Sequence, residues 1–216
     1  MKKTLLALSL FIILTGCTTS NEQSDFKTEY EELNNKETEY NTKYKELNIP
    51  EDNLIDIVTY DELKEVLNEG TGVVYFGFPE CPWCRASIVT FIEVCKEKGI
   101  DTIYYYNPKD IRDTMHLDDD GKIVVDKKAT KEYKELLTYM DSVLTPYEGL
   151  NDPSIKRLYA PTYLAFKDGK AIDIHVSTVE SQSDPYKELT KEQEKELKKA
   201  FSDLIDKTTN ACNSSC

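Results

Sequence analysis

Cys81-Pro82-Trp83-Cys84 follows directly on the run Val73-Val74-Tyr75-Phe76-Gly77-Phe78-Pro79-Glu80. A strand that delivers a Cys-x-x-Cys to the start of a helix has the arrangement thiol–disulfide exchange requires. The two sulfurs are near enough to bridge, and the first is exposed to attack an external sulfur. Unpaired backbone N–H groups and the helix macrodipole favour a thiolate at that end. Cys81 is therefore the expected nucleophile, and Cys84, one turn inward, the expected resolving thiol. Two neighbouring charges act in opposite senses, Arg85 favouring the thiolate and Glu80 opposing it. Pro82 suits the first helical turn, where no N–H partner is needed. Trp83 is expected either on the rim against which a substrate packs or packed on the domain itself.

The same spacing is half of a zinc site, but no second half follows, and His116 and His175 have no metal-ligand spacing. Asp118-Asp119-Asp120-Gly121 lacks the alternating ligands and distant Glu of a calcium loop and reads as a polar hairpin turn. The expected chemistry uses no metal and no cofactor. Cys95 shares a helix face with Cys84 but lies about 16 Å further along the axis, too far to bridge, and reads as a small buried apolar residue. Cys212 and Cys216, in a polar tail, are expected to bridge locally in an oxidising compartment, with a second redox pair or partner attachment as alternatives.

The N-terminus fixes that compartment. Lys2 and Lys3 precede an apolar stretch from Leu5 to Leu14, too short to span a bilayer, so residues 1–16 read as a signal peptide. Leu14-Thr15-Gly16-Cys17 resembles the lipobox of bacterial lipoproteins, which implies acylation of Cys17 and a lipid anchor on the extracytoplasmic face of a bacterial membrane. Loss of the leader takes the formal charge from −13 to −15, since it holds two lysines and no acidic residue. So acidic a chain is a poor ligand for nucleic acid, and anionic lipid headgroups repel it unless an anchor holds it there.

Thr18 to Asn53 is rich in Glu, Lys, Asn and Thr and reads as a polar tether, residues 17–53, partly helical or disordered, although Tyr30, Leu33, Tyr40, Tyr44 and Leu47 fall at three- and four-residue steps that would also suit an amphipathic helix resting on the domain or a neighbour. Its reach is roughly 50 Å if helical and about twice that if extended. From Leu54 the pattern becomes that of one globular domain, residues 54–207. Leu54 to Val58 reads as a strand, and Thr59 with Glu62 marks a capping box for a helix over Tyr60 to Leu67. A buried strand, Val73 to Phe78, leads to the cysteines, and a helix runs from Pro82 to Lys98. Thr102 to Tyr106 is a further strand. About fifty residues, 107–159, then read as an insertion with a helix from Thr130 to Leu144. Lys167-Asp168-Gly169-Lys170 joins a hairpin of Tyr163 to Phe166 and Ala171 to Val176, and a helix from Leu189 to Lys207 closes the domain.

With these elements in place, residues 54–207 resemble a thioredoxin-fold protein. The strand before the Cys pair, the helix it opens, and Tyr159-Ala160-Pro161-Thr162-Tyr163-Leu164-Ala165-Phe166-Lys167-Asp168-Gly169 match the family pattern, the last being similar to its cis-proline strand. The resemblance implies an α/β fold with a mixed central sheet flanked by helices and a helical insertion before that strand. It also implies that Pro161 packs against the active-site cysteines and that Ala160 binds substrate backbone. One departure stands out: where thioredoxin has a buried Asp on the strand, thought to relay protons to the resolving thiol, this chain has Tyr75. That leaves the relay to another group, such as Glu80 through water, or slows resolution. The export signal, the run Phe78 to Arg85 and the insertion look most like bacteriocin transport accessory proteins.

Two function classes are carried forward. One is a membrane-tethered thiol–disulfide oxidoreductase acting on exported proteins or peptides and served by a redox partner, with reduction slightly favoured over disulfide introduction. The other is a non-enzymatic peptide-binding or chaperone-like module whose cysteines form a static disulfide. Substrate identity and oligomeric state are not legible.

Overall fold

The computed structural model describes residues 19–209. The leader, Cys17, Cys212 and Cys216 lie outside the described residues, and so do the expectations that fall on them. Along the chain come helix α1 (Thr19–Glu31), strand β1 (Ile55–Ile57), α2 (Tyr60–Glu69), β2 (Gly72–Phe76), α3 (Pro82–Glu97) and β3 (Ile103–Tyr106). These are followed by β4 (Thr114–Leu117), β5 (Ile123–Lys127), α4 (Lys131–Tyr139), β6 (Thr162–Lys167), β7 (Lys170–Val176) and α5 (Lys191–Thr209). Five strands form a mixed sheet in the order β1-β3-β2-β6-β7, in which β1, β3 and β2 run parallel and β6 and β7 antiparallel. Among the described residues no helix is long and apolar enough to cross a membrane.

Alternation along the strands assigns each helix to a layer, because successive side chains leave a strand on opposite faces. Val73 and Tyr75 of β2 join one buried cluster with Ile88, Phe91 and Ile92 of α3 and Leu197, Phe201 and Leu204 of α5. Val74 and Phe76 join a second with Leu63 and Leu67 of α2, Tyr133 and Leu136 of α4, and Met140 just after it. Thus α4, which reads from sequence as part of an insertion, covers a face of the central sheet. It ends at Tyr139 rather than Leu144, yet Met140 and Leu144 stay buried. The separate β4–β5 hairpin is the added element, and its turn is the polar Asp118–Gly121 sequence, with Asp118 Oδ1 accepting from the N–H groups of Asp120 and Lys122.

Local signals hold the ends. Thr59 and Glu62 form the reciprocal capping box of α2, and Thr130 caps α4 by accepting from Tyr133 N. The β6–β7 turn needs glycine at 169, where φ is +74° and a Cβ would sit 2.1 Å from the Asn68 carbonyl oxygen.

The segment read as a tether differs most from expectation. Phe26 and Tyr30 of α1 and Ile49 after it are fully buried in the cluster with α3 and α5. Asn53, also fully buried, donates to the Gln23 and Pro50 carbonyls at 3.0 Å and accepts from Ile55 N at 3.1 Å, joining α1 to β1. Arg85 of α3 is 1% exposed and donates to Tyr30 O (2.7 Å), Lys45 O (2.6 and 3.1 Å) and Asn34 Oδ1 (2.6 Å). A buried guanidinium is costly unless its donors are satisfied, and here the N-terminal segment supplies the acceptors. The polar composition had concealed a few apolar side chains that face one way.

Candidate active site

Strand β2 ends at Phe76, and the turn Gly77 to Glu80 carries the chain to Cys81, the N-cap of α3, with Pro82 in the first turn. Both cysteines are free thiols, Cys81 7% exposed and Cys84 fully buried. Cys84 N–H donates to Cys81 Sγ at 3.4 Å, and the Cys81 thiol donates to Ala160 O at 3.3 Å. The Ala160–Pro161 bond is cis, and the Pro161 carbonyl accepts from Ser177 N at 3.0 Å. The structure therefore brings Cys81, Cys84, Ala160 and Pro161 together, although 79 positions separate Cys81 from Ala160. Trp83, in the first turn of α3, is half-buried against the core cluster.

The two thiols are driven apart electrostatically. A hydrogen bond with the Cys84 thiol holds the Cys81 pKa below the ordinary thiol value. Burial opposes that shift, while the backbone N–H groups of Cys84 and Trp83 and the charge of Arg112 reinforce it. Burial pushes Cys84 well above the usual value, and its bond to Cys81 and the charge there push it further. Tyr75 and a backbone hydrogen bond from Phe78 work the other way. One sulfur is thus prepared to attack and the other is kept protonated. Cys95 is buried and also pushed up, in line with its reading as an apolar filler.

Tyr75 is the middle ring of a three-strand stack. It pairs in register with Tyr105 of β3 and Tyr163 of β6, at ring separations of 5.4 and 5.2 Å and interplanar angles of 22° and 17°. Its hydroxyl lies 2.8 Å from that of Tyr30 in α1. Gly77 makes room for it, since a Cβ there would sit 2.2 Å from the Tyr75 hydroxyl oxygen. The Tyr163 hydroxyl meets Ser87 Oγ at 2.7 Å, and Ser87 donates to Trp83 O at 2.8 Å. The position that raised doubt about proton relay is therefore filled by a phenol beneath Cys84 that draws on the N-terminal helix.

Glu80 and Arg85 do not act as the opposed pair that their sequence distance suggested. Glu80 faces solvent and pairs with Lys109 at 2.6 Å, while the Arg85 guanidinium points into the N-terminal segment. The cation beside Cys81 is Arg112, whose guanidinium carbon lies 5.1 Å from the centre of the Phe78 ring. Arg112 was missed because it lies 31 positions after Cys81 in a segment without periodicity. Its rarity was a usable signal, since only three of the 27 basic residues are arginine. His116 pairs with Asp126 and His175 with the Thr178 carbonyl, both outside this cluster. Among the described residues no group of His, Cys, Asp and Glu is placed to hold a metal ion.

No protein-family model matches this chain, and no curated protein matches it.

Proposed function

We propose that the protein is a thioredoxin-like thiol–disulfide oxidoreductase, anchored through an acylated Cys17 at the extracytoplasmic face of a bacterial membrane and acting on exported proteins or peptides. The reading rests on one observation above all. Cys81 sits at the N-cap of α3 with a depressed pKa, bonded to the Cys84 N–H and facing the carbonyl before a cis-proline. The Cys81 thiolate attacks a substrate disulfide, forming a mixed disulfide and expelling one substrate sulfur as thiolate. Cys84 loses its proton and attacks Cys81 Sγ, expelling the second substrate sulfur. Two electrons pass to the substrate, its two sulfurs end as thiols, and Cys81 and Cys84 end as a disulfide. A redox partner then restores the dithiol.

The stabilised Cys81 thiolate also favours a second direction, because stabilising the reduced form makes the pair a stronger oxidant. In that direction the same bonds form and break in reverse, and a substrate dithiol leaves as a disulfide. Trapping mixed disulfides with Cys84→Ser tests both. Recovered partners that carried disulfides establish reduction, and partners that carried thiols establish oxidation. Equal insulin reduction and equal dithiol oxidation by wild type and Cys81→Ser would instead support the binding-module reading.

A further inference from the structure

Arg112, whose charge acts on Cys81, and Arg157, on which the Arg112 charge acts in turn, have no acceptor. Arg112 and Arg157 are half-buried, and neither makes a side-chain hydrogen bond or ion pair with any described residue. Arg112 Nε is fully removed from solvent and without a partner. Both lie against aromatic rings, Arg112 on Phe78 at 5.1 Å and Arg157 on Tyr147 at 4.2 Å and Tyr159 at 5.8 Å. Phe78 is in the turn that ends at Cys81, and Tyr159 adjoins Ala160, whose carbonyl meets the Cys81 thiol. The two arginines thus stand on the two chain segments that meet at the reactive sulfur.

Their balance of charge is unusual for so acidic a chain. Lysines over the surface find carboxylates, as Lys96 does with Asp52 and Lys109 with Glu80. Here two arginines face one carboxyl, Asp113, which is 4% exposed and has an unpartnered Oδ1. Burial and the nearby Arg112 charge lower the Arg157 pKa, a cost that an incoming anion would relieve. Half-buried guanidinium forks stacked on rings are suited to bidentate binding of a planar carboxylate.

We propose that Arg112 and Arg157 form a carboxylate-binding subsite that selects partners bearing an acidic group next to the reacting sulfur. The proposal builds on the thiol–disulfide reading of Cys81 and adds a substrate class to it. The carboxylate is either an Asp or Glu side chain or a free chain terminus.

Three peptide disulfides distinguish these sources: one with Glu beside its cysteine and an amidated end, one with Gln and a free C-terminus, and one with Gln and an amidated end. The expected kcat/KM is about tenfold higher for a carboxylate peptide than for the neutral one, in keeping with a charge-assisted hydrogen bond, and the preference falls as salt rises. Arg112→Gln and Arg157→Gln each reduce that ratio towards one, and Arg157→Lys retains part of it. Taking the ratio within each variant cancels any effect on Cys81 itself. Should a variant not fold, the wild-type ratio and its salt dependence still decide the matter.

A second measurement needs no exchange. In Cys81→Ser/Cys84→Ser protein, the fluorescence of Trp83, the single tryptophan, reports binding of serine analogues of the same peptides. Exchange without any carboxylate preference overturns the subsite and leaves the enzyme reading standing. Preferential binding of the carboxylate analogues without exchange does the reverse. Equal binding and equal turnover of all three peptides overturns the subsite outright.

Discussion

Cys81 and Cys84 are three residues apart in sequence but differ sharply in environment, and that difference is measurable. Iodoacetamide is expected to modify Cys81 first, with a rate–pH midpoint below the about 8.5 of an ordinary thiol, while Cys84 and Cys95 react only on unfolding. Mass mapping of the label against pH checks this, and a midpoint at or above the ordinary value would contradict the environment described. Tyr75→Phe keeps the stacked ring but removes the hydroxyl that favours the Cys84 thiolate. It is expected to slow decay of the mixed disulfide about tenfold, the size of a lost hydrogen bond to a charged group. Unchanged decay would reduce Tyr75 to a packing role. The cysteines and Pro161 were legible because their types and spacing are local. The roles of Arg112, Arg157 and Tyr30 were not, because only the fold brings Arg112 to Cys81, Arg157 to Arg112, and Tyr30 to Tyr75 across 45 positions.

At the scale of elements, hydrophobic patterning placed most helices and central-sheet strands within a few residues, since α2, α3 and α5 each bury a regular face and β2 and β6 are continuous buried runs, whereas β4 and β5 bury no side chain. It failed for the N-terminal segment, where few apolar side chains are buried and much of the attachment is polar: Asn53 to Gln23 O, Ile49 N to Glu31, and Arg85 to the Tyr30 and Lys45 carbonyls and Asn34. Such bonds leave no periodic trace. They make Arg85 the fastening of α1 and the following loop to α3. Arg85→Leu removes the donor and leaves several half-buried acceptors unpaired, at an expected cost of about 3 kcal/mol. Urea unfolding measures that loss, and limited proteolysis should cut first between Leu33 and Leu47. If stability is retained and cleavage unchanged, the segment is held by Phe26 and Tyr30 alone. The packing of α1 and of Ile49 on the domain leaves far less than residues 17–53 to act as a free tether.

For the whole molecule, stability on acidification is governed by groups that titrate differently when folded. His175 is half-buried against Phe201, with ring centres 5.1 Å apart, and desolvation holds its pKa below 6.5 although the Thr178 carbonyl and Asp173 pull upward. The unfolded chain then binds this proton at higher pH than the folded one, so stability falls as pH drops below about 6.5. A second decline comes from Glu62, Glu135 and Asp152, which hydrogen bonds hold below their usual values. Their contribution is complete above those values and is lost as pH falls through the folded ones. Asp113, raised by burial, acts in the opposite sense and softens that limb. His175→Gln should therefore flatten the first decline and leave the second. Urea midpoints for both proteins between about pH 4 and 8 test this through the slope, so a uniform loss of packing in the variant does not obscure it. A wild-type midpoint that stays level from neutral pH to about pH 5, or a His175→Gln profile parallel to wild type, would place the pH sensitivity elsewhere.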